Sequence, residues 1–422
     1  MKVFKFGGAS VKDAVAVRNV AYIVAQYSHP LVVVVSAMGK TTNALEEMYN
    51  LSYSQKFFET QLQACQTYHQ QIVTDLFPDT QAPVYRAIQD QFDQLRTRLT
   101  TITPGNYDEY YDQVVSVGEI LSSIIVQHYL AAQQMNTVWL DCRPLICTDD
   151  SWREAKVDWV NTEKNIREKV TPLLPDYIMV TQGFLGGTTQ NRTTTLGREG
   201  SDFTGAIFAY CLQAESLTIW KDVAGFLNAD PKFFQHTTKY SRISYHDTVE
   251  MAYYGATVIH PKTIKPLATR NIPLLVKSFL DPTAAGTLIQ NTPDEVLVPA
   301  FIRKDQQCLI SFGVRDYTFI SEKNLSVIFH ALAELRFKIN LMQNSAISFS
   351  VCTNYHAERL QLLLEQLQEQ FIIHYNTDLL LFTIKNYDDD SIRFLTQNQE
   401  ILVEQRTRTT YQFVCRAAVT TN

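Results

Sequence analysis

Residues 2–10 read KVFKFGGAS and residues 31–35 read LVVVV, and these two stretches indicate the fold. The first predicts a short strand that ends in a double-glycine turn, and apolar residues at helical spacing follow it. The second is a β-branched run without alternation, which is typical of a strand buried on both faces. Strand, helix and buried strand in succession predict a βαβ unit, and hence an α/β fold with a mainly parallel sheet.

Other segments extend this organisation. Similar apolar strands are predicted at residues 137–140, 177–181, 216–220 and 273–276. Residues from about 53 to 112 are rich in Gln and Tyr and have helical periodicity, with helices predicted over 57–77 and 84–99, so we expect a helical excursion from the sheet.

A second domain is predicted after a polar, proline-containing segment near residues 290–305. We place the first domain at residues 1–295 and the second at residues 300–422. The second shows a weak internal repeat of two βαββ units, the later one apparently cut short. Its predicted elements are strands at 308–314, 338–342, 346–352, 379–385 and 411–415 and helices at 322–336 and 357–371.

Composition excludes several classes of protein. The 422 residues are 45% hydrophobic and 19% charged with a net charge of −6, which indicates a globular protein and disfavours nucleic acid or an anionic membrane as a partner. No apolar run approaches the roughly 18–20 residues that span a bilayer, and no secretory signal is visible, so we expect a cytoplasmic protein. Seven scattered cysteines without a CxxC motif predict reduced thiols and no zinc site.

Candidate phosphate ligands lie at the first strand. In KFGG, Lys5 offers a charge, and Gly7 and Gly8 offer backbone N–H groups where a helix could begin. An ordinary strand-to-helix turn explains the same residues, and no Walker loop is present.

Two further segments carry candidate acceptor ligands. Ser36 and Thr42 follow the second strand, at the sheet edge where open α/β sheets bind ligands, although a helix-capping loop would look the same. Glu119, in SVGE, lies on a different helical face from the apolar residues and could hold an ammonium group. Alternatively it only stabilises the first turn of its helix.

The most informative stretch is TTTLGREGSD at residues 193–202, just before a predicted helix over 203–212. Its glycines and hydroxyls, with Arg198 and Asp202, suit a carboxylate or a phosphate, and Arg198 can bind a carboxylate with two nitrogens. An exposed Arg198–Asp202 ion pair is the alternative.

Two later segments complete the set. KDVAGFLNADPK at residues 221–232 follows another strand, where Asp222 and Lys232 could frame a nucleotide. In GATVIHPK at residues 255–262, His260 before a proline is more typical of a structural turn than of a catalytic base.

In this order the motifs KFGGAS, SAMGKTTN, SVGE, GFLGG, LGREGSD, KDVAGFLNADPK and GATVIHP resemble those of aspartate kinases of the amino-acid-kinase superfamily. The resemblance covers about residues 2–290, and the later residues look like the paired ACT-type regulatory modules of that family. It implies a three-layer carbamate-kinase-like fold followed by α+β ferredoxin-like modules. It also implies transfer of the γ-phosphoryl group of ATP, with Mg²⁺, to the β-carboxylate of L-aspartate, the first step toward lysine, threonine and methionine.

The resemblance also implies roles for individual residues. Lys5 and Asp202 would be catalytic. The nucleotide positions would be Lys5, Phe6, Gly7, Gly8, Lys221, Asp222, Leu227, Lys232, Thr257 and Val258. Those for aspartate would be Ser36, Thr42, Glu119, Arg198, Glu199, Gly200 and Ser201. A homodimer and an amino-acid effector, lysine or threonine, are implied for the ACT-like region, and no resident metal ligand is assigned.

The sequence departs from the family pattern at five positions. Alanine replaces threonine in KFGGAS, Glu199 replaces a glycine, Lys221 a threonine, Leu227 a tyrosine and Thr257 a lysine. We hypothesise that Lys221 compensates for the lysine missing at Thr257. An unchanged KM for ATP in Lys221→Ala would refute this.

Two other functions remain open. One is another amino-acid carboxylate kinase of the glutamate kinase type, which would share the phosphate loops. The other is a non-catalytic amino-acid sensor with a degenerate kinase domain. Lys5, Glu119, Arg198 and Asp202 argue against the sensor, whereas Leu227 and Thr257 favour it.

Overall fold

The chain forms two compact units. The structure, a computed structural model, describes residues 1–27, 30–256, 258–292, 298–315 and 318–416. The first unit comprises residues 1–226, 239–249 and 258–294, and the second comprises residues 227–238, 250–257 and 295–422.

An eight-stranded sheet forms the centre of the first unit, in the order β3-β4-β2-β1-β7-β9-β10-β8. All neighbouring strands are parallel except the antiparallel β9–β10 pair, which agrees with the predicted mainly parallel sheet. Two short strands, β5 and β6, form a separate hairpin. The strands of this unit are β1 (Lys2–Phe6), β2 (Leu31–Val35), β3 (Thr137–Leu140), β4 (Ile178–Gln182), β5 (Leu185–Gly187), β6 (Thr193–Thr195), β7 (Ser216–Lys221), β8 (Arg242–Ser244), β9 (Leu274–Ser278) and β10 (Thr287–Gln290).

Helices surround this sheet. They are α1 (Ala14–Ala25), α2 (Thr41–Tyr53), α3 (Glu59–Leu76), α4 (Pro83–Thr101), α5 (Tyr107–Val115), α6 (Val117–Ala132), α7 (Trp159–Val170), α8 (Gly200–Leu212), α9 (Tyr245–Tyr254), which ends in the second unit, and α10 (Pro261–Thr269). The predicted helical excursion corresponds to α3, α4 and α5. Its apolar residues belong to one continuous hydrophobic core with β1, β2 and α1.

One helical stretch is unusually long and apolar. Residues 107–132, which cover α5 and α6, are the one segment in the described part of the chain that is long and apolar enough to cross a membrane. However, 78% of its most apolar window is buried inside the protein. The stretch therefore behaves as a core helix, whose apolar side chains are covered by neighbouring elements.

The turn after β1 differs from its prediction. Instead of opening α1 directly, the Gly7-Gly8 turn leads into a four-residue 3₁₀ turn, Gly8–Val11. Helix α1 begins only at Ala14, where the Asp13 side chain accepts a hydrogen bond from the Ala16 N–H at 2.7 Å. The capping aspartate decides this start, because it satisfies an N–H that has no partner in the helix. The N-terminus of α1 is therefore not part of the glycine turn.

The second unit contains a six-stranded antiparallel sheet in the order β12-β13-β11-β14-β16-β15. Its elements are β11 (Ala300–Val314), α11 (Glu322–Glu334), β12 (Ile339–Asn344), β13 (Ser348–Asn354), α12 (Ala357–Leu367), β14 (Phe371–Lys385), α13 (Asp389–Thr396), β15 (Ile401–Arg406) and β16 (Thr410–Arg416). The succession β11-α11-β12-β13 and then β14-α13-β15-β16 gives the two βαββ units expected from the sequence. The expectation that the later unit is cut short is wrong, because all four of its elements are present.

Two strands are longer than predicted. Strand β11 begins at Ala300, inside the segment interpreted as a boundary, and β14 begins at Phe371, where a helix was predicted to end. The two pair along nearly their whole length, from Ala300 opposite Lys385 to Val314 opposite Phe371. The long partner strand supplies hydrogen bonds that local composition does not reveal.

All seven cysteines are free, as expected.

Candidate active site

A cluster of three charged side chains lies at the carboxyl ends of two adjacent strands. Lys5 is on β1 and Lys221 ends β7, and both reach Asp202 in the first turn of α8. The Lys5 Nζ lies 2.6 Å from Asp202 Oδ1, and the Lys221 Nζ lies 3.1 Å from Asp202 Oδ2. We call Lys5, Asp202 and Lys221 the paired cluster, because each lysine has a carboxylate oxygen of its own.

The protonation of Asp202 follows from this arrangement. Its side chain is only 2% exposed, and burial alone would raise the pKa of its carboxyl. The charges of Lys5 and Lys221 and their hydrogen bonds outweigh burial, so the pKa is lowered below its usual value. For Lys221 burial acts to lower the pKa, but Asp202 and Glu199 raise it overall. The paired cluster therefore carries two positive charges and one negative charge at neutral pH.

The Gly7-Gly8 turn lies beside this cluster and packs tightly. A Cβ on Gly8 would lie 2.9 Å from the Ala37 carbonyl oxygen, so only glycine fits there. The Gly39 N–H donates to the Gly8 carbonyl at 3.1 Å, and the Ser10 hydroxyl donates to the Trp220 carbonyl at 3.3 Å. These bonds tie the loop after β1 to the ends of β2 and β7.

Helix α8 presents its N-terminus on the same side of the sheet. Its N-cap residue is Glu199, which has a left-handed backbone with φ of 53° and makes no side-chain capping bond. Burial raises the pKa of the Glu199 carboxyl, although Lys221 opposes this. The first turn contains the buried residues Gly200 and Ser201, and the Gly200 N–H donates a hydrogen bond to the Gly197 carbonyl at 2.9 Å. The N-terminal end of a helix carries partial positive charge, which suits an anion.

Glu119 is the most unusual carboxylate of the site. It lies in the first turn of α6, is only 3% exposed, and its Oε2 has no hydrogen-bond partner. Burial raises its pKa to about 8, against opposing contributions from the Ala37 backbone and from Lys5. Glu119 thus lies in the first turn of its helix, as one interpretation of the sequence predicts, but it is buried and lines the cleft.

Arg198 contrasts with the paired cluster. Its side chain is exposed, and it takes part in none of the ion pairs found among the described residues. The predicted alternative of an Arg198–Asp202 ion pair is thus not observed, since Asp202 is taken by the two lysines. We call Glu119 and Arg198 the unpaired residues.

All of these groups face one cleft of about 670 Å³. Of the predicted site residues, the cleft is lined by Lys5, Gly8, Ser36, Thr42, Glu119, Arg198, Glu199, Gly200, Ser201, Asp202 and Lys221. The structure therefore brings together all seven predicted aspartate residues and both predicted catalytic residues, but only three of the ten predicted nucleotide residues.

Other predicted residues lie elsewhere. Phe6 is fully buried, stacks on Trp220 at 6.0 Å between ring centroids and does not line the cleft. Gly7, the exposed Asp222 and Val258 belong to the same unit but do not line the cleft, although the Val258 carbonyl accepts a hydrogen bond from the Lys221 Nζ. Leu227 and Lys232 belong to the second unit, and Thr257 lies outside the described residues.

His260 has the structural role expected for it. It precedes the first residue of α10, Pro261, and its Nδ1 accepts a hydrogen bond from the Lys262 N–H at 3.2 Å. A ring nitrogen that caps a helix replaces the usual serine or aspartate there.

Several cleft residues were missed by sequence reasoning. Tyr111, Arg153, Glu154 and Thr195 line the cleft, and the buried Asp112 lies directly behind them. Asp112 accepts hydrogen bonds from the Thr195 hydroxyl at 2.7 Å and from the Arg153 N–H at 3.0 Å. The acidic and aromatic residues of α5 were the one sequence signal for these contacts. The residues that they contact, Arg153 and Thr195, lie about 40 residues or more further along the sequence.

The comparisons with known proteins agree with this geometry. A family model described as "Amino acid kinase family" matches residues 1–278. The chain therefore belongs to the amino acid kinase family. Its fold and its cleft agree with this class of phosphate-transferring proteins.

Within that family its relatives are aspartokinases. The lysine-sensitive aspartokinase 3 of Escherichia coli is 30% identical over 355 residues, which are 83% of this chain and 77% of that protein. The aspartokinase of Chlamydia trachomatis is 31% identical over 287 residues, 68% of this chain and 64% of that protein. The bifunctional aspartokinase/homoserine dehydrogenase 2 of Arabidopsis thaliana is 29% identical over 87% of this chain, which spans only 42% of that longer protein.

Solved structures show the same relationship. E. coli aspartokinase III in complex with aspartate and ADP superposes with a TM-score of 0.82 and 26% identity, covering 99% of this chain and 96% of that one. The aspartate kinase of Clostridium acetobutylicum, at 21% identity and a TM-score of 0.80, supports the fold. The resemblance and the fold class inferred from the sequence motifs are thereby confirmed.

Proposed function

We propose that this protein is an aspartate kinase, which transfers the γ-phosphoryl group of ATP to the β-carboxylate of L-aspartate and forms 4-phospho-L-aspartate. The observation that carries the proposal is the single cleft in which the paired cluster lies beside the unpaired residues. The E. coli relative solved with aspartate and ADP supports the choice of both substrates.

The paired cluster and the start of α8 suit the phosphate groups. ATP with Mg²⁺ supplies the phosphoryl group that is transferred. Lys5, Lys221 and the N-terminal end of α8 provide positive charge on the side of the cleft where negative charge must be stabilised. Asp202 holds both ammonium groups in place, so no reorganisation is needed when the phosphates bind. Lys221 thus acts as the second phosphate-binding lysine, in keeping with the compensation hypothesis.

The unpaired residues suit the acceptor. Arg198 has no carboxylate partner among the residues that the structure describes, and it can bind one carboxylate of the amino acid with two nitrogens. Glu119 offers a carboxylate oxygen without a partner to the ammonium group, and Ser36 and Thr42 offer hydroxyls.

No general base is required of the protein. A free aspartate side chain has a pKa near 3.9, so the attacking β-carboxylate is already ionised at neutral pH. Catalysis then consists of alignment of the two substrates and stabilisation of charge on the transferred group. This explains why His260 can serve as a helix cap.

The second unit suits regulation. We assign residues 1–295 to catalysis and residues 300–422 to an ACT-type regulatory region, which would bind lysine or threonine in a homodimer in the cytoplasm. The relative named as lysine-sensitive supports lysine as the first effector to test.

A hydroxamate assay tests the activity. Purified protein is incubated with MgATP and L-aspartate, and L-glutamate is tested in parallel, with lysine or threonine added in further reactions. Acyl phosphate from aspartate in excess of that from glutamate is the expected result. Product from glutamate alone would favour the glutamate kinase type, and no product from either would favour the sensor.

A further inference from the structure

Arg153 has a backbone conformation that arginine rarely adopts. Its φ is 67°, in the left-handed region, which costs a non-glycine residue about 1 kcal/mol or more. The buried Asp112 holds this conformation, because one of its oxygens accepts the Arg153 N–H and the Thr195 N–H at 3.0 and 2.9 Å. The surrounding structure therefore keeps an arginine where glycine would fit without cost.

The side chain of Arg153 also contacts three neighbouring side chains. Its guanidinium carbon lies 4.2 Å from the centre of the Tyr111 ring, a stacked cation–π contact. One terminal nitrogen lies 3.3 Å from Asp108 Oδ1 on α5, and the other lies 4.0 Å from Glu46 Oε1 on α2. The guanidinium thus bridges two helices across the wall of the cleft.

Arg153 lies on the side of the cleft that contains the predicted acceptor ligands. Glu46 is one helical turn after Thr42 on α2, so the two share a helix face. The loop at Arg153 also packs under Gly197, the neighbour of Arg198. A Cβ on Gly197 would lie 3.1 Å from the Arg153 carbonyl oxygen and 2.9 Å from Glu154 Cγ.

We propose that Arg153 is a specificity-determining residue that closes the acceptor side of the cleft and thereby restricts the substrate to a short dicarboxylic amino acid. The proposal rests on the aspartate kinase function proposed above. Because Arg153 lines the cleft and packs beside Gly197, an acceptor that is longer by one methylene must fit against the wall that Arg153 forms, and the guanidinium already has Asp108 and Glu46 as partners. A stacked and ion-paired arginine yields less readily than a flexible apolar side chain. The preference for L-aspartate over L-glutamate should therefore exceed the factor of about 10 to 200 that one additional methylene in a pocket causes by itself.

The test compares L-aspartate with L-glutamate in wild type and in Arg153→Gly. Glycine adopts a φ of 67° freely, so the variant retains the fold, and its melting temperature checks this. Dissociation constants for both amino acids are measured by calorimetry with ADP present, next to the hydroxamate assay. We expect the glutamate-to-aspartate ratio of dissociation constants to fall at least about tenfold, with an unchanged KM for ATP.

Two further variants separate Arg153 from general effects. Arg153→Lys keeps the charge but loses the planar stack and the forked donors, so its ratio should lie between those of the wild type and Arg153→Gly. Arg336→Gly is the matched control, because Arg336 also has a positive φ, of 55°, but lies exposed in the second unit. Its ratio should equal that of the wild type.

The outcomes are distinguishable. An unchanged ratio in Arg153→Gly, or equal weakening of both amino acids, overturns the role of Arg153 even if the wild type phosphorylates aspartate. A wild type that binds aspartate but forms no acyl phosphate overturns the kinase function, while the ratio still decides the role of Arg153. A wild type that binds neither amino acid overturns both.

Discussion

The paired cluster and the unpaired residues differ in how their charges are satisfied, although they line the same cleft. In the paired cluster each lysine contacts an oxygen of Asp202, and the pKa of that carboxyl is held low. In the unpaired residues, Arg198 has no carboxylate partner among the described residues and Glu119 has an oxygen without a hydrogen bond. Under the proposed function, this difference means that the phosphate side is organised before substrates bind, whereas the acceptor side is completed by the substrate itself.

Removal of Lys5 should cause the largest loss of activity. Lys5→Met deletes the cation nearest Asp202 with little change in volume, and we expect kcat to fall about 10²- to 10³-fold. Lys2→Met on the same strand is the matched control and should retain wild-type activity, since Lys2 does not line the cleft. Near-normal turnover in Lys5→Met would show that the paired cluster is not the phosphoryl site.

Neutralisation of Glu119 should weaken the binding of aspartate but not that of ATP. In Glu119→Gln the ammonium group of aspartate loses a charged partner, which is worth about 1.5–3 kcal/mol, so the KM for aspartate should rise about 10- to 100-fold. The KM for ATP should stay near that of the wild type. Steady-state kinetics with each substrate varied in turn measures both values, and an equal rise in both would argue that Glu119 serves the whole site.

Removal of Lys221 should have a smaller effect on the phosphate side. Lys221→Met leaves Asp202 paired with Lys5 alone, and we expect the KM for ATP to rise about three- to tenfold, within the range of about 0.5–1.5 kcal/mol for loss of a typical hydrogen bond, because Lys5 remains to bind the phosphates. The KM for aspartate should not change. If instead the KM for ATP is unaltered, the compensation hypothesis is refuted.

The smallest expected signal concerns stability without substrate. The folded chain keeps the Glu119 proton up to about pH 8, whereas the unfolded chain releases it near 4.5, so unfolding releases a proton between these values. The free energy of unfolding should therefore decrease as pH rises through this range, by at most about 1.4 kcal/mol per pH unit from this group. Denaturant unfolding of the wild type and Glu119→Gln at several pH values should show a shallower slope in the variant. Parallel slopes would contradict the raised pKa.

The sequence allowed much of the first unit to be predicted. Strands β2 and β3 were located with the bounds that the structure shows. For β2 the reason is that a strand covered on both faces is apolar without interruption, whereas β3 is a half-buried edge strand. The paired cluster could also be predicted in part from the sequence, since Lys5 and Asp202 belong to motifs at strand and helix ends. The role of Lys221 as a second partner of Asp202 required the pairing of β1 with β7.

What remained hidden depends on packing between distant segments. The burial of Glu119 did not follow from its helical face, because α6 is covered on nearly all sides and its buried residues include two serines. Arg153 could not be anticipated, since its contacts come from α2 and α5, and its left-handed backbone is imposed by Asp112. The length of β11 likewise depended on its partner β14.

The most direct test of the contrast between the two sides is the proton released when L-aspartate binds. With the Glu119 pKa at about 8, the free protein holds this proton at pH 7, and the carboxyl must ionise to pair with the ammonium group. Calorimetry in buffers of different ionisation enthalpy should show release of about 0.9 proton per bound aspartate at pH 7, and almost none in Glu119→Gln. Tight binding of aspartate to the wild type without proton release would contradict the account.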